Sequence, residues 1–146
     1  MRNRTKSREC ALQMLYQVDI RRVDPTQVIE EFWQAEAQVA DDVKRYANQL
    51  VEGVRQHIVE IDQVIGAHAD NWDLKRMAVI DRNILRLGAL ELLYLDGVPA
   101  KVCINEAIEL AKRFGDVESG KFINGILDAI HKKRHDPGQA AEPRVG

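Results

Sequence analysis

The chain has 146 residues, 45% of them apolar and 30% charged, with a formal net charge of −2. This length suits one compact domain with its own core, no apolar run approaches the ~20 residues that cross a bilayer, and the basic N-terminus lacks the apolar stretch of a secretory signal. Cys10 and Cys103 make neither a disulfide framework nor a metal pattern, so the chain is expected to be cytoplasmic with both thiols reduced and buried.

Helical period runs through nearly the whole chain, which predicts an all-α fold of about seven helices. Asn3 or Thr5 can cap the first, whose apolar face carries Cys10, Ala11, Met14, Leu15 and Val18. Asp24-Pro25 is a cap followed by a first-turn proline, and the short helix behind it turns Val28, Ile29, Phe32 and Trp33 inward. Asp41 is expected to cap the third helix, with Val43, Tyr46, Ala47, Leu50, Val51 and Val54 buried. The same pattern continues to Ile61 and Ile65, too long for one straight helix in a small domain, so a break is expected near residues 56–59. Asn71-Trp72-Asp73 marks a turn. A segment from Leu74 to Asp96, interrupted near Val79, then ends at Gly97 and Pro99. Its second half is apolar on almost every side, which makes it the core helix or a helix covered by another protein. A sixth helix spans about Val102 to Phe114. Ser119 is expected to cap a seventh, which ends in His131-Lys132-Lys133-Arg134, where cations favour the helix dipole. Residues 135–146 are polar and proline-bearing, a composition expected to be disordered.

Charge is unevenly spread. Residues 1–23 carry +4, residues 24–73 carry −8 and residues 74–134 carry +3, so an anionic partner meets local patches and not a uniformly basic surface. Arg2, Arg4, Lys6 and Arg8 sit at the start of a helix, where the dipole prefers anions. Four cations in a place that local stability assigns to carboxylates point to an anionic partner, or to a solvated terminus. Lys112, Arg113, Phe114, Lys121 and Phe122 crowd the junction of the last two helices. Cations beside aromatics suit a phosphate backbone and unstacked bases.

Enzymatic readings fail on specific points. Gly115 to Lys121 matches the G-x-x-x-x-G-K of a P-loop. However, Phe122 stands where Ser or Thr should hold magnesium, a helix precedes the loop where a strand should, and Asp116 and Glu118 repel a triphosphate. What survives is a helix N-terminus beside Lys121, attractive to a single phosphate. His57 and His68 lie too far apart for a helical zinc pair. The sequence therefore predicts no catalytic residues, no metal and no cofactor.

Four blocks carry a family resemblance. Arg4-x-x-x-Arg8-Glu-Cys-Ala-Leu-Gln-Met-Leu-Tyr16, Asp81 to Leu92, Val102 to Lys112 and Ser119 to Leu127 follow in the order seen in the NusB family of bacterial transcription antitermination factors, and the match spans about residues 4–130. The resemblance implies two small helical subdomains packed together, about 1–70 and 71–134. It also implies binding of the boxA element of ribosomal RNA leader transcripts, a heterodimer with the small-subunit ribosomal protein called NusE in this role, and action on RNA polymerase with other Nus factors through the assembled complex. Arg4, Arg8, Tyr16, Lys112, Phe114, Lys121 and Phe122 fall at positions that resemble the family's RNA surface, to which the residue reading adds Lys6 and Arg113. Asp81, Arg82 and Leu85 fall on the helix that resembles its NusE-facing surface. The basic first helix and the 112–122 junction are expected to form two sides of one groove. Two rival readings are a helical protein-interaction scaffold without RNA binding and a homodimer that covers the partner surface.

Overall fold

The computed structural model describes residues 2–69 and 74–134; the turn expected at 71–73 and the tail expected at 135–146 lie outside them. Among the described residues there are seven α-helices, one 3-10 turn and no strand. The chain divides into two compact units, Met1–Ile58 and Val59–Gly146. The sequence reading placed the division near residue 70.

The first unit holds α1 (Arg2–Arg21), α2 (Pro25–Ala35) and α3 (Asp41–Gln56). Arg22, at φ 56°, takes the left-handed conformation that ends α1, and its N–H donates to the Val18 carbonyl at 2.9 Å. Asp24 then caps α2, accepting from the Thr26 N–H at 2.8 Å, with Pro25 in the first turn. The cap of α3 lies one residue earlier than expected: Ala40 is the N-cap, and Asp41 and Asp42 lie in the first turn, where carboxylates favour the dipole. The faces that meet are those with helical period. Ala11, Leu12, Met14, Val28, Ala47, Leu50 and Val51 are essentially inaccessible, and the two alanines let α1 and α3 approach closely. Ser7 adds a polar tie, since its buried hydroxyl lies 2.9 Å from the carbonyls of both Asn3 and Val43. α3 stops at His57, inside the break that the long pattern required.

The second unit holds most of α4 (Ile58–His68), a 3-10 turn (Leu74–Arg76), α5 (Val79–Tyr94), α6 (Ala100–Phe114) and α7 (Ser119–Arg134). Every residue of α5 from Asn83 to Leu92 is buried, with α6 and α7 packed against it. α5 is therefore the core helix of its unit, and its middle offers no flank to a second protein. Gly88 permits the contact with α7: a Cβ there would stand 2.7 Å from a Leu127 methyl. Arg86 carries charge into this apolar setting. Its guanidinium grips Asp62 of α4 through two bonds of 2.8 and 2.9 Å and donates to Asn83 at 3.2 Å, the two-pronged geometry that makes such a pair strong. The 95–99 turn reverses the chain through Gly97, at φ 85°. α6 starts at Ala100, two residues before the expected start, because Pro99 pre-sets the N-cap geometry.

Both cysteines are free and buried. Burial pushes the Cys10 thiol above its ordinary pKa, against a smaller downward pull from Lys6. The Cys103 thiol lies 3.7 Å from the Val98 carbonyl.

Replacing Asp62 by Ala leaves the buried Arg86 guanidinium without its carboxylate. The expected cost is ~1.5–3 kcal/mol, seen as a lower urea midpoint; an unchanged midpoint would show that Asn83 and solvent suffice.

Candidate nucleic-acid interface

The residues singled out from sequence fall on two surfaces, one in each unit. On α1 the first turn carries no carboxylate. Arg4 and Lys6 are exposed, and the Arg4 guanidinium lies 3.7 Å from the centre of the Tyr46 ring on α3. That stacking fixes a long side chain that would otherwise lose rotamer freedom on meeting a ligand. Arg8 shares the helix face and lies 5.9 Å from the same ring, but it is only 3% exposed. The expectation that Arg8 meets phosphate directly is therefore corrected. Its guanidinium faces the Tyr46 ring of α3 and has almost no access to solvent. Tyr16, 39% exposed, and Ile20 extend the accessible side of α1.

The second surface is the α6–α7 junction. Lys112 and Arg113 are exposed on the last turn of α6; Lys112 pairs with Glu109 at 3.3 Å in solvent, which is worth little. The Phe114 ring is half-buried, 5.6 Å from the Arg113 guanidinium. Gly115 follows because nothing larger fits. A Cβ would lie 2.6 Å from the Ser119 hydroxyl oxygen and 2.9 Å from the Ala111 carbonyl. Asp116, and not Ser119, is the cap. Its carboxylate accepts from the Glu118 N–H at 3.0 Å and from the Ser119 hydroxyl at 3.2 Å, while its own N–H donates to that hydroxyl oxygen at 3.1 Å. A carboxylate thus already fills the start of α7, and the expectation that this helix end takes a phosphate is corrected. The loop follows α6 and not a strand, which completes the case against a P-loop. Val117 stands at the loop tip, 96% exposed. Lys121 is exposed and Phe122 half-buried on the first turn of α7.

Beneath the junction lies Asp81, in the first turn of α5. Ser119, itself 2% exposed, lies beside its carboxyl, while Asp81 Oδ1 is buried with no hydrogen-bond partner among the described residues. Burial raises the Asp81 pKa most, the Ser119 hydroxyl opposes it, and the like charge of Asp116 adds to the rise. Arg82 is half-buried and donates to the Leu74 carbonyl at 3.0 Å. Leu85 is 0% exposed. Its expected place at a partner interface is corrected, because the side chain has no access to solvent. Tyr46 is the functional neighbour that sequence reasoning missed. Its helical spacing marked it as core, and nothing in the sequence pairs residue 4 with residue 46. No group of three or more metal-ligating side chains is placed to hold a metal among the described residues.

The sequence matches the NusB family over residues 5–132. A similar protein, transcription antitermination protein NusB of Myxococcus xanthus, is 48% identical over 130 residues, covering 87% of this chain and 93% of that relative. The structure of NusB from T. maritima has a TM-score of 0.84 at 36% identity and covers 95% of this chain and 97% of its own. A crystal structure of antitermination factors NusB and NusE in complex with dsRNA gives a TM-score of 0.84 at 34% identity, over 91% of this chain and 98% of that one.

A carboxyl whose pKa is raised by folding holds its proton more tightly in the folded state. Its contribution to stability is present at low pH and is lost as pH rises through the ordinary carboxylate range and beyond. Asp81→Asn should therefore gain stability over the parent between about pH 3 and about pH 7. Urea titrations at both pH values check this; a difference that does not change with pH would contradict it.

Proposed function

We infer, because the chain belongs to the NusB family of transcription antitermination proteins, that it acts in the cytoplasm by binding the unpaired boxA element of ribosomal RNA leaders together with the ribosomal protein NusE. On this reading RNA polymerase and the other Nus factors are reached through the assembled complex. The observation that carries the RNA part is the α6–α7 junction. Exposed Lys112, Arg113 and Lys121 lie beside the half-buried rings of Phe114 and Phe122, while the loop's Asp116 carboxylate is engaged in capping. The fixed Arg4, with Lys6 and Tyr16, supplies the second surface. A NusB–NusE pair of the same fold has been crystallised with double-stranded RNA.

The physics is that of single-strand binding. The five exposed cations, Arg4, Lys6, Lys112, Arg113 and Lys121, neutralise phosphates, and Tyr16, Phe114 and Phe122 offer faces for bases, each worth ~1–3 kcal/mol. Arg8 faces the Tyr46 ring and has almost no access to solvent. Few cations on a chain of net charge −2 give binding that is modest alone and weakens with salt. Asp81 and Arg82, half-buried at the start of α5, are the partner-facing residues in this reading. Asp81 also lies under the RNA junction, beside Ser119. Partner and RNA then bias one structural element, so each raises the affinity of the other by the same factor.

The test is titration of a boxA-like single strand and a matched duplex, with and without the ribosomal protein. Binding of the single strand, strengthened by the protein, is expected. No RNA binding in either case would leave only a protein-interaction scaffold. Lys121→Ala should weaken binding and lower the slope of log K against log salt by about 0.7. Phe122→Ala should weaken it by ~1–3 kcal/mol with the helical signal unchanged. Loss of folding with intact affinity in the folded fraction would assign Phe122 to the core.

A further inference from the structure

Two glycines of the second unit are explained by what surrounds them. Gly88 and Gly115 sit where a Cβ would press on Leu127 or on Ser119 and the Ala111 carbonyl. Gly125 has no such account. It lies inside α7, well clear of both ends, and it is exposed. A Cβ built on it meets no atom within 4 Å among the described residues, and its φ is not in the left-handed region. Glycine in a helix interior is roughly four- to fivefold less favourable than alanine, because it surrenders more backbone freedom on folding. Nothing among the described residues offsets that cost, which points to a surface that approaches α7 from outside them.

The surroundings identify that surface. Gly125 lies one turn beyond Lys121 on the same helix face, about 6 Å along the axis, with exposed Asn124 beside it. Further along the face, Asp128 is paired with Lys132 at 3.0 Å, and the exposed Glu118 lies one turn before Lys121. The accessible strip is therefore Lys121, Asn124, Gly125, the part-exposed Asp128 and Lys132, a polar band with a cation at each end. No large apolar side chain on α7 is exposed. A protein interface would centre on apolar or aromatic residues. A sugar–phosphate backbone needs the reverse, namely cations, a hydrogen-bonding amide and no bulk in its way.

We propose that the RNA strand taken up at Lys121 continues along α7 and lies flush against the helix at Gly125, with the Asn124 amide bonding to the strand there. This rests on the RNA-binding reading and extends its footprint by a full turn of α7. Gly125 is a positioning residue, since its lack of a side chain sets how closely the strand approaches.

The experiment uses the full chain, a boxA-like single-stranded oligonucleotide and three variants, Gly125→Ala, Gly125→Gln and Lys121→Ala, with thermal melting measured beside affinity. Gly125→Ala is expected to raise the melting temperature and weaken RNA binding several-fold. Gly125→Gln, with a longer side chain that still favours a helix, should weaken it by tenfold or more at a stability no lower than the parent's. Stability and affinity moving in opposite directions is the signature, because ordinary structural damage lowers both. Parent-like affinity in both Gly125 variants, with binding weakened by Lys121→Ala, overturns this inference alone. Parent-like affinity in all three removes the α6–α7 junction as the RNA site as well, and no binding by the parent removes the RNA reading itself. Unchanged RNA binding with weakened capture of the ribosomal protein makes the occupant a protein and overturns the proposal. A lower melting temperature for Gly125→Ala overturns its premise.

Discussion

The α6–α7 junction hangs on one hydroxyl. Ser119 is 2% exposed, donates to the Asp116 carboxylate in the loop above it, and lies beside the Asp81 carboxyl of the core helix below. Its one proton goes to Asp116. The Asp116 N–H, donating to the same oxygen, fixes the loop side of the arrangement. Gly115 is the steric condition for this closeness, because any side chain there would displace Ser119. The direction in which Lys112 and Phe114 leave one helix, and Lys121 and Phe122 enter the next, follows from that small polar knot. An acidic loop in a cation-lined site looks contradictory in sequence. It is consistent once Asp116 is seen as the helix cap, with its charge turned to the helix dipole and away from a ligand.

The α1 surface solves a different problem. Cations near a helix N-terminus lie at the unfavourable end of the dipole, and the fold compensates with an aromatic ring. Tyr46, itself nearly buried, receives Arg4 at 3.7 Å and Arg8 at 5.9 Å. Of the two, one reaches solvent and one does not. A basic cluster at this helix start is thus partly structural, and its accessible share rests with Arg4 and Lys6.

What the sequence made legible was whatever repeats at short range. Helix faces, the Asp24-Pro25 start, the break at 56–59 and the Gly97 turn all come from local periodicity or local backbone chemistry, and each is found within a residue or two. Starts were less readable where the cap lacks a side-chain bond, as at Ala40 and Pro99. The Ser119 cap was misread because Asp116, three residues earlier, competes for the same role, and spacing cannot rank two good caps. Tertiary burial was the larger blind spot. Arg8 stands in a basic cluster and, like Leu85, at a position that resembles a family surface, but exposure depends on which helices arrive from elsewhere in the chain. An arginine under a tyrosine 38 positions away leaves no local signature.

The two cysteines carry a practical consequence. Each thiol is sunk in apolar packing, and burial moves Cys10 further from the thiolate that alkylating reagents and oxidants attack. Peroxide stress that would cross-link an exposed pair has little purchase here. For spectroscopy, a cysteine introduced on either surface can carry a maleimide probe in the otherwise native chain, without first stripping out Cys10 and Cys103.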